Sequence, residues 1–246
     1  MTMPFASHTS NSTGTGTVSA ERSENAQRLR AGAQTLGLAL DDSQIDQLLD
    51  YLALLVKWNA VYNLTAVRDP AQMITQHLLD SLAVVDAFAG ADRVLDVGAG
   101  GGLPGVVVAI WAKVAHPALR IDLIDTVQKK TAFLTQVKTE LGLSNMRVHS
   151  GRVEQFSAVQ PYDLITSRAF ADLADFVSWS QHLLAPDGVF LAMKGVLPEV
   201  EMARLPDGWI IREVRPVRVP MLDAERHLVW IGRANDAQPG MPEAQA

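Results

Sequence analysis

Two rhythms of apolar residues divide the chain. Between residues 41 and 88 the apolar positions recur three and four apart: Ile45, Leu48, Leu49, Leu52, Leu55, Val56 and Val61, then Met73, Ile74, Leu78, Leu79 and Leu82. That spacing puts an apolar stripe on each of two helices. The first is capped at Asp41 or Asp42 and the second opens at Asp69-Pro70. A further helix is predicted from Glu21 to about Gly37, where glycine closes it. Beyond residue 90 the rhythm changes to short apolar runs at 94–97, 119–125, 146–149, 162–166 and 188–193. Runs of this kind read as strands buried on both faces. They alternate with helical segments that start at Val106 and span 128–141 and 176–184, which predicts a parallel sheet. The runs 209–219 and 227–231 are predicted to pair antiparallel at one edge. The expected fold is α/β: a mostly parallel seven-stranded sheet with helices on both faces over residues 90–233, preceded by a small helical subdomain over 21–89. Residues 1–20, rich in Ser, Thr and Gly, read as a disordered leader, and 234–246 as a flexible tail.

Chemistry concentrates where the first of these strands ends. In Asp96-Val97-Gly98-Ala99-Gly100-Gly101-Gly102-Leu103-Pro104-Gly105, five glycines follow an apolar run and precede a helix. Glycines there let the backbone turn sharply and let a ligand lie against main chain that a side chain would block. Two cofactors fit such a loop. Gly100 to Gly105 matches G-x-G-x-x-G, the dinucleotide pattern. Asp96, in Asp-x-Gly-x-Gly-x-Gly, suits a ligand with an ammonium group better than a pyrophosphate, and Pro104 removes one donor from a phosphate cradle. That second arrangement resembles the first motif of class I S-adenosylmethionine-dependent methyltransferases. Asp125 closes the second strand, where an acid can accept hydrogen bonds from a ribose in either reading.

Composition narrows the classes. With 246 residues, 48% of them hydrophobic and 20% charged, the chain has room for one large core and a smaller appendage. No apolar run approaches the ~20 residues of a membrane span. The absence of cysteine excludes disulfides, thiolate metal sites and a cysteine nucleophile, and leaves the cytoplasm as the expected compartment. The six histidines are scattered without paired ligand spacing, so no metal is expected. The net charge of −6 argues against a general nucleic-acid coat. Residues 204–233 nonetheless carry six arginines against four acids. Basic charge is therefore concentrated late in the chain.

Several polar blocks remain after packing is accounted for. They are Asn63-Leu64-Thr65-x-x-Arg68-Asp69, His77-x-x-Asp80-Ser81, Ser167-Arg168-Ala169-Phe170-Ala171, Lys194-Gly195 and Glu225-Arg226-His227-Leu228-Val229. Together with the glycine loop they resemble the RsmG family, also called GidB, of bacterial 16S ribosomal RNA guanine-527 N7 methyltransferases. The resemblance runs from about residue 45 to 232. It implies a Rossmann-like class I fold, S-adenosyl-L-methionine as cofactor, and 16S ribosomal RNA or the small ribosomal subunit as partner. Carried over by motif, the cofactor contacts are Gly98, Leu103, Val153, Glu154 and Arg168, to which the residue reading adds Asp96, Gly100 and Asp125. A monomer is expected.

Guanine N7 has an in-plane lone pair and no proton to lose, so methylation there needs alignment more than a general base. No catalytic residue is therefore expected beyond the positioning groups Arg168, Lys194 and His77. Arg168 suits the O6 edge of guanine or, alternatively, an ion pair with Asp172. Arg68, Lys194, Arg226 and His227 are candidate RNA contacts, against the alternative of caps and solvated edges. Besides a methyltransferase, two functions stay open: a nicotinamide-dependent oxidoreductase, and a non-catalytic RNA-binding assembly protein with the same fold.

Overall fold

A computed structural model gives the protein's structure over residues 13–168, 170 and 172–234. Its centre is a seven-stranded sheet in the order β3-β2-β1-β4-β5-β7-β6. Strands β1 (Arg93–Val97), β2 (Arg120–Asp125), β3 (Met146–Ser150), β4 (Tyr162–Arg168) and β5 (Leu184–Lys194) run parallel. At the edge, β6 (Trp209–Pro216) pairs antiparallel with β7 (His227–Arg233), which pairs antiparallel with β5. The expected edge pair is thus present, one strand inward from where the chain order alone would put β7.

Alternation along the strands builds two cores. Val94 of β1 and Leu164 of β4 point to one face, where α5 (Gly105–Ala115) and α6 (Gln128–Glu140) pack. Leu95, Val97 and Ile165 point to the other, against α7 (Leu173–Ser180). Both faces are covered, which is why the parallel strands read as continuous apolar runs.

The amino-terminal helices add a third layer over α5 and α6. Helix α1 spans Thr13–Thr35, starting well ahead of Glu21, and α2 spans Asp42–Tyr62. The predicted leader and tail otherwise fall on residues 1–12 and 235–246, outside the described residues. Asp41 caps α2 in a reciprocal box with Gln44. Gln44 also donates from Nε2 to the α5 carbonyls of Ile110 and Trp111, and Gln47 to Leu141 O. The next helical run is not uniform: α3 (Pro70–Met73), capped by Asp69, passes into a π-helical stretch, Ile74–Leu79, and then α4 (Asp80–Leu82). A four-residue helix, α8 (Glu199–Met202), follows β5. Among the described residues, no helix is long and apolar enough to cross a membrane, and no group of acids and histidines is placed to hold a metal ion.

Candidate functional site

A cavity of about 370 Å³ opens at the carboxyl ends of the parallel strands. Its floor is Val97 and Gly98 at the end of β1 and Asp125 at the end of β2, and one wall is 151–154 after β3. Phe170, following β4, and Trp179 of α7 close the far side with their rings 5.5 Å apart. In an open α/β sheet this is where ligands bind.

The glycine loop is fixed from several directions. Gly98 N and Ala99 N both donate to Ile124 O, at 2.9 and 3.1 Å. Gly100 N donates to Asp125 Oδ2 at 2.9 Å and Val127 N to Asp125 Oδ1 at 2.8 Å, so one carboxylate ties the loop to the start of α6. From α2, Tyr51 donates its hydroxyl to Gly101 O at 2.5 Å. Burial pushes the Tyr51 phenol well above its ordinary pKa, so it stays a donor. Gly98 has φ +68°, and a Cβ there would meet no protein atom within 4 Å: the side that a side chain would occupy faces the cavity. Gly102 serves packing instead, since a Cβ on it would stand 2.5 Å from Val106 Cγ2 and 2.8 Å from Leu134 Cδ2.

Asp96 is fully buried behind the loop. Its Oδ2 accepts from Gly105 N at 3.0 Å, while Oδ1 has no hydrogen-bond partner within the protein. Burial pushes its pKa up to about 7, against the lowering effects of the Gly105 bond and the Arg168 charge. A buried acid of this kind beside a ligand loop favours a cationic ligand, which would restore its charge.

The remaining candidate residues divide. Gly98, Asp125, Val153 and Glu154 line the cavity, Gly100 is bonded to Asp125, and Leu103 is buried behind the loop. Arg168 pairs with Asp80 at 3.2 Å, while Asp172 caps α7 and pairs with Arg204, so the Arg168–Asp172 alternative is not formed. Arg226 Nε reaches the other oxygen of Asp80 at 2.6 Å. Lys194 is not on a solvated edge: its Nζ donates to Glu201 Oε2 at 2.7 Å and to Phe170 O at 3.1 Å. His227, in register with Lys194 across β5 and β7, holds Gly195 O through Nδ1. Arg68 is exposed and bonded to Asn63 Oδ1. His77 is 4% exposed, paired through Nε2 with Thr65 Oγ1 at 2.9 Å, and its pKa is lowered chiefly by burial. The late arginines are therefore largely engaged, Arg215 with Asp86 and Arg233 with the carbonyls of Ala185 and Pro186.

Tyr51, Lys130 and Trp179 were not singled out from sequence. Tyr51 hides in an apolar stripe, and its phenol is the one hint that the position does more than pack. Lys130 stands 3.6 Å from Asp125 Oδ2. Trp179 is 41% exposed and stands edge-on to the Phe170 ring.

The arrangement matches known proteins at two levels. The likeness to the mitomycin 7-O-methyltransferase MmcR, with a TM-score of 0.53 at 18% identity over 67% of this chain and 56% of that one, concerns the fold alone, a Rossmann-like methyltransferase fold. At the level of sequence, the chain is 67% identical over 202 residues to a ribosomal RNA small subunit methyltransferase G of Herminiimonas arsenicoxydans, covering 82% of this chain and 93% of that protein. The counterpart of the same name in Ralstonia nicotianae is 54% identical over 209 residues, covering 82% and 92%. The family model for GidB, rRNA small subunit methyltransferase G, matches residues 44–229. With its glycine loop, its polar blocks and strands β1 to β6 inside that span, the chain belongs to the GidB family of rRNA small subunit methyltransferases.

Proposed function

We propose that this protein transfers a methyl group from S-adenosyl-L-methionine to N7 of a guanine in 16S ribosomal RNA, at position 527 by family resemblance. The observation that carries the reading is the cavity at the ends of β1 and β2, floored by Gly98 and Asp125, in a chain of this family. The residues present fit the cofactor. Gly98 leaves room for close approach, Asp125 offers acceptors at the position a ribose takes in such folds, and the unpartnered Asp96 Oδ1 lies buried beneath the loop. When bound, S-adenosylmethionine supplies an electrophilic methyl on a sulfonium.

The protein's own residues have to align and shield. Phe170 and Trp179 form one aromatic wall of the cavity, and the Gly100–Asp125–Val127 bonds hold the floor still. Since N7 carries no proton, none of these groups has to act as a base. His77, buried and depressed in pKa, suits a positioning role in its neutral form. Arg68, which is exposed, and Arg226, which is half-buried, would meet RNA phosphates, in the cytoplasm and as a monomer. Family membership disfavours both the nicotinamide reading and the non-catalytic one.

The test is methyl transfer in vitro. The purified protein, S-adenosylmethionine and unmethylated 16S RNA should yield 7-methylguanosine, read by mass spectrometry of nuclease fragments at one guanine. Folded, cofactor-binding protein that leaves both RNA and small subunits unmethylated would refute the proposal.

A further inference from the structure

Asp80 has no task in the methyl-transfer scheme, yet it is among the most constrained polar residues of the molecule. It is 2% exposed, and each of its oxygens is taken by a different arginine. Oδ1 accepts from Arg226 Nε at 2.6 Å and Oδ2 from Arg168 Nη1 at 3.2 Å. The three residues come from three places: the helical subdomain, the end of β4 and the approach to β7. Arg168 Nη1 also donates to Gln76 O at 3.3 Å, within the π-helical stretch that ends just before Asp80. The Asp80 N–H closes that stretch by bonding to Thr75 O and His77 O. A π-helical insertion is rare and recurs at functional sites, where it re-aims a side chain.

Stability alone accounts poorly for this arrangement. A buried ion pair is weak evidence for stability, since apolar packing of the same volume often does as well or better. One carboxylate for two guanidiniums leaves a net positive charge, and the Arg168 charge is felt at both Asp96 and Tyr51 beside the glycine loop. Arg168 follows Ser167, whose hydroxyl donates to Val97 O at 2.8 Å, so it stands at the end of β4 beside the strand that leads into the glycine loop. Arg226 lies beside His227 and Lys194, toward the polar edge of β5 and β7. A guanidinium clamped through one edge keeps its other N–H donors in a fixed fork.

Building on the methyl-transfer reading above, we propose that Asp80 is a positioning residue: it fixes Arg168 and Arg226 at one spacing, so that donor and RNA are registered to each other. The test compares wild type, Asp80→Asn, Arg226→Gln and the double variant, as kcat at saturating cofactor and RNA together with thermal midpoints. Asp80→Asn keeps one acceptor and loses the charge, so its midpoint should drop and its kcat fall at least tenfold. The double variant removes one of the two cations that Asp80→Asn leaves without their carboxylate. Its midpoint should return toward that of Arg226→Gln, while its kcat stays at least tenfold below that of Arg226→Gln. If Asp80→Asn does not fold, the double variant carries the comparison. Recovery of kcat in step with the midpoint would reduce Asp80 to a fold-holding ion pair and overturn the proposal. So would a folded Asp80→Asn within twofold of wild type. Wild-type protein without methyl transfer would instead remove the function itself, a result the first lane reports separately.

Discussion

At the scale of single residues, glycines and buried acids divide the labour of the site. Gly98 is the position where space is kept for something other than protein. Gly98→Val adds a side chain that meets no protein atom at Cβ but sits at φ +68°, so it should cost about 1–2 kcal/mol of stability and abolish cofactor binding. Calorimetry on the folded variant checks this, and unchanged affinity would show that the ligand lies elsewhere. A second residue-scale prediction lies outside the cavity. Asp122 accepts from Tyr162 Oη at 2.7 Å and from His149 Nε2 at 3.0 Å. Burial pushes its carboxyl up, but these bonds outweigh it and leave the pKa below the ordinary value. A depressed carboxyl contributes stability above its unfolded pKa, and that contribution is lost as pH falls through the folded value. Tyr162→Phe should cost about 1–3 kcal/mol near neutrality and move the acid-unfolding midpoint upward. An unmoved acid midpoint would mean the phenol adds nothing to the carboxylate. The cavity at the glycine loop was legible because Gly98 and Asp125 sit at strand ends that the apolar runs mark. The Asp80 hub was not, since its partners Arg168 and Arg226 are 88 and 146 residues away in sequence.

At the scale of elements, α2 matters more than its apolar stripe implied. The stripe predicts a helix laid on the sheet domain, and Leu48, Leu52 and Leu55 are buried as it requires. Nothing in that periodicity says that Tyr51 reaches the glycine loop, because a tyrosine in a stripe reads as packing. Its bond to Gly101 O makes the helical subdomain a brace for the glycine loop. Tyr51→Phe leaves a buried carbonyl without its donor, which costs about 1–3 kcal/mol. Cofactor affinity should fall several-fold with it, and a dissociation constant equal to wild type would uncouple the two. The π-helical stretch Ile74–Leu79 was also invisible in advance. Apolar positions at Met73, Ile74, Leu78, Leu79 and Leu82 satisfy a regular helix, so their spacing carries no sign of the wider turn that precedes Asp80. The strands were read more closely than the helices, because burial on both faces leaves an unbroken apolar run whose ends can be seen.

At the scale of the whole molecule, cofactor binding and methyl transfer should respond differently to pH. Asp96, with a pKa near 7 raised by burial, is partly neutral at neutral pH and must ionise to serve a cationic ligand. Binding then carries the cost of removing a proton below that pKa, so cofactor affinity should weaken as pH falls from about 8 to 6, by up to roughly tenfold per pH unit below the pKa. Asp96→Asn should flatten this dependence, and a wild-type affinity already independent of pH would deny the coupling. Once cofactor and RNA saturate the protein, that ionisation is complete. His77, held below its ordinary value by burial, favours its neutral form more than an unperturbed histidine does. Guanine N7 gives up no proton, so kcat should be nearly flat between about pH 6 and 8.5 even while cofactor affinity changes. Single-turnover rates at saturation separate the two curves. His77→Ala and His227→Ala should then act through RNA affinity, with the chemical step changed much less. An acid limb in the wild-type rate that vanishes in either variant would identify a titrating base, and alignment alone would no longer account for the reaction.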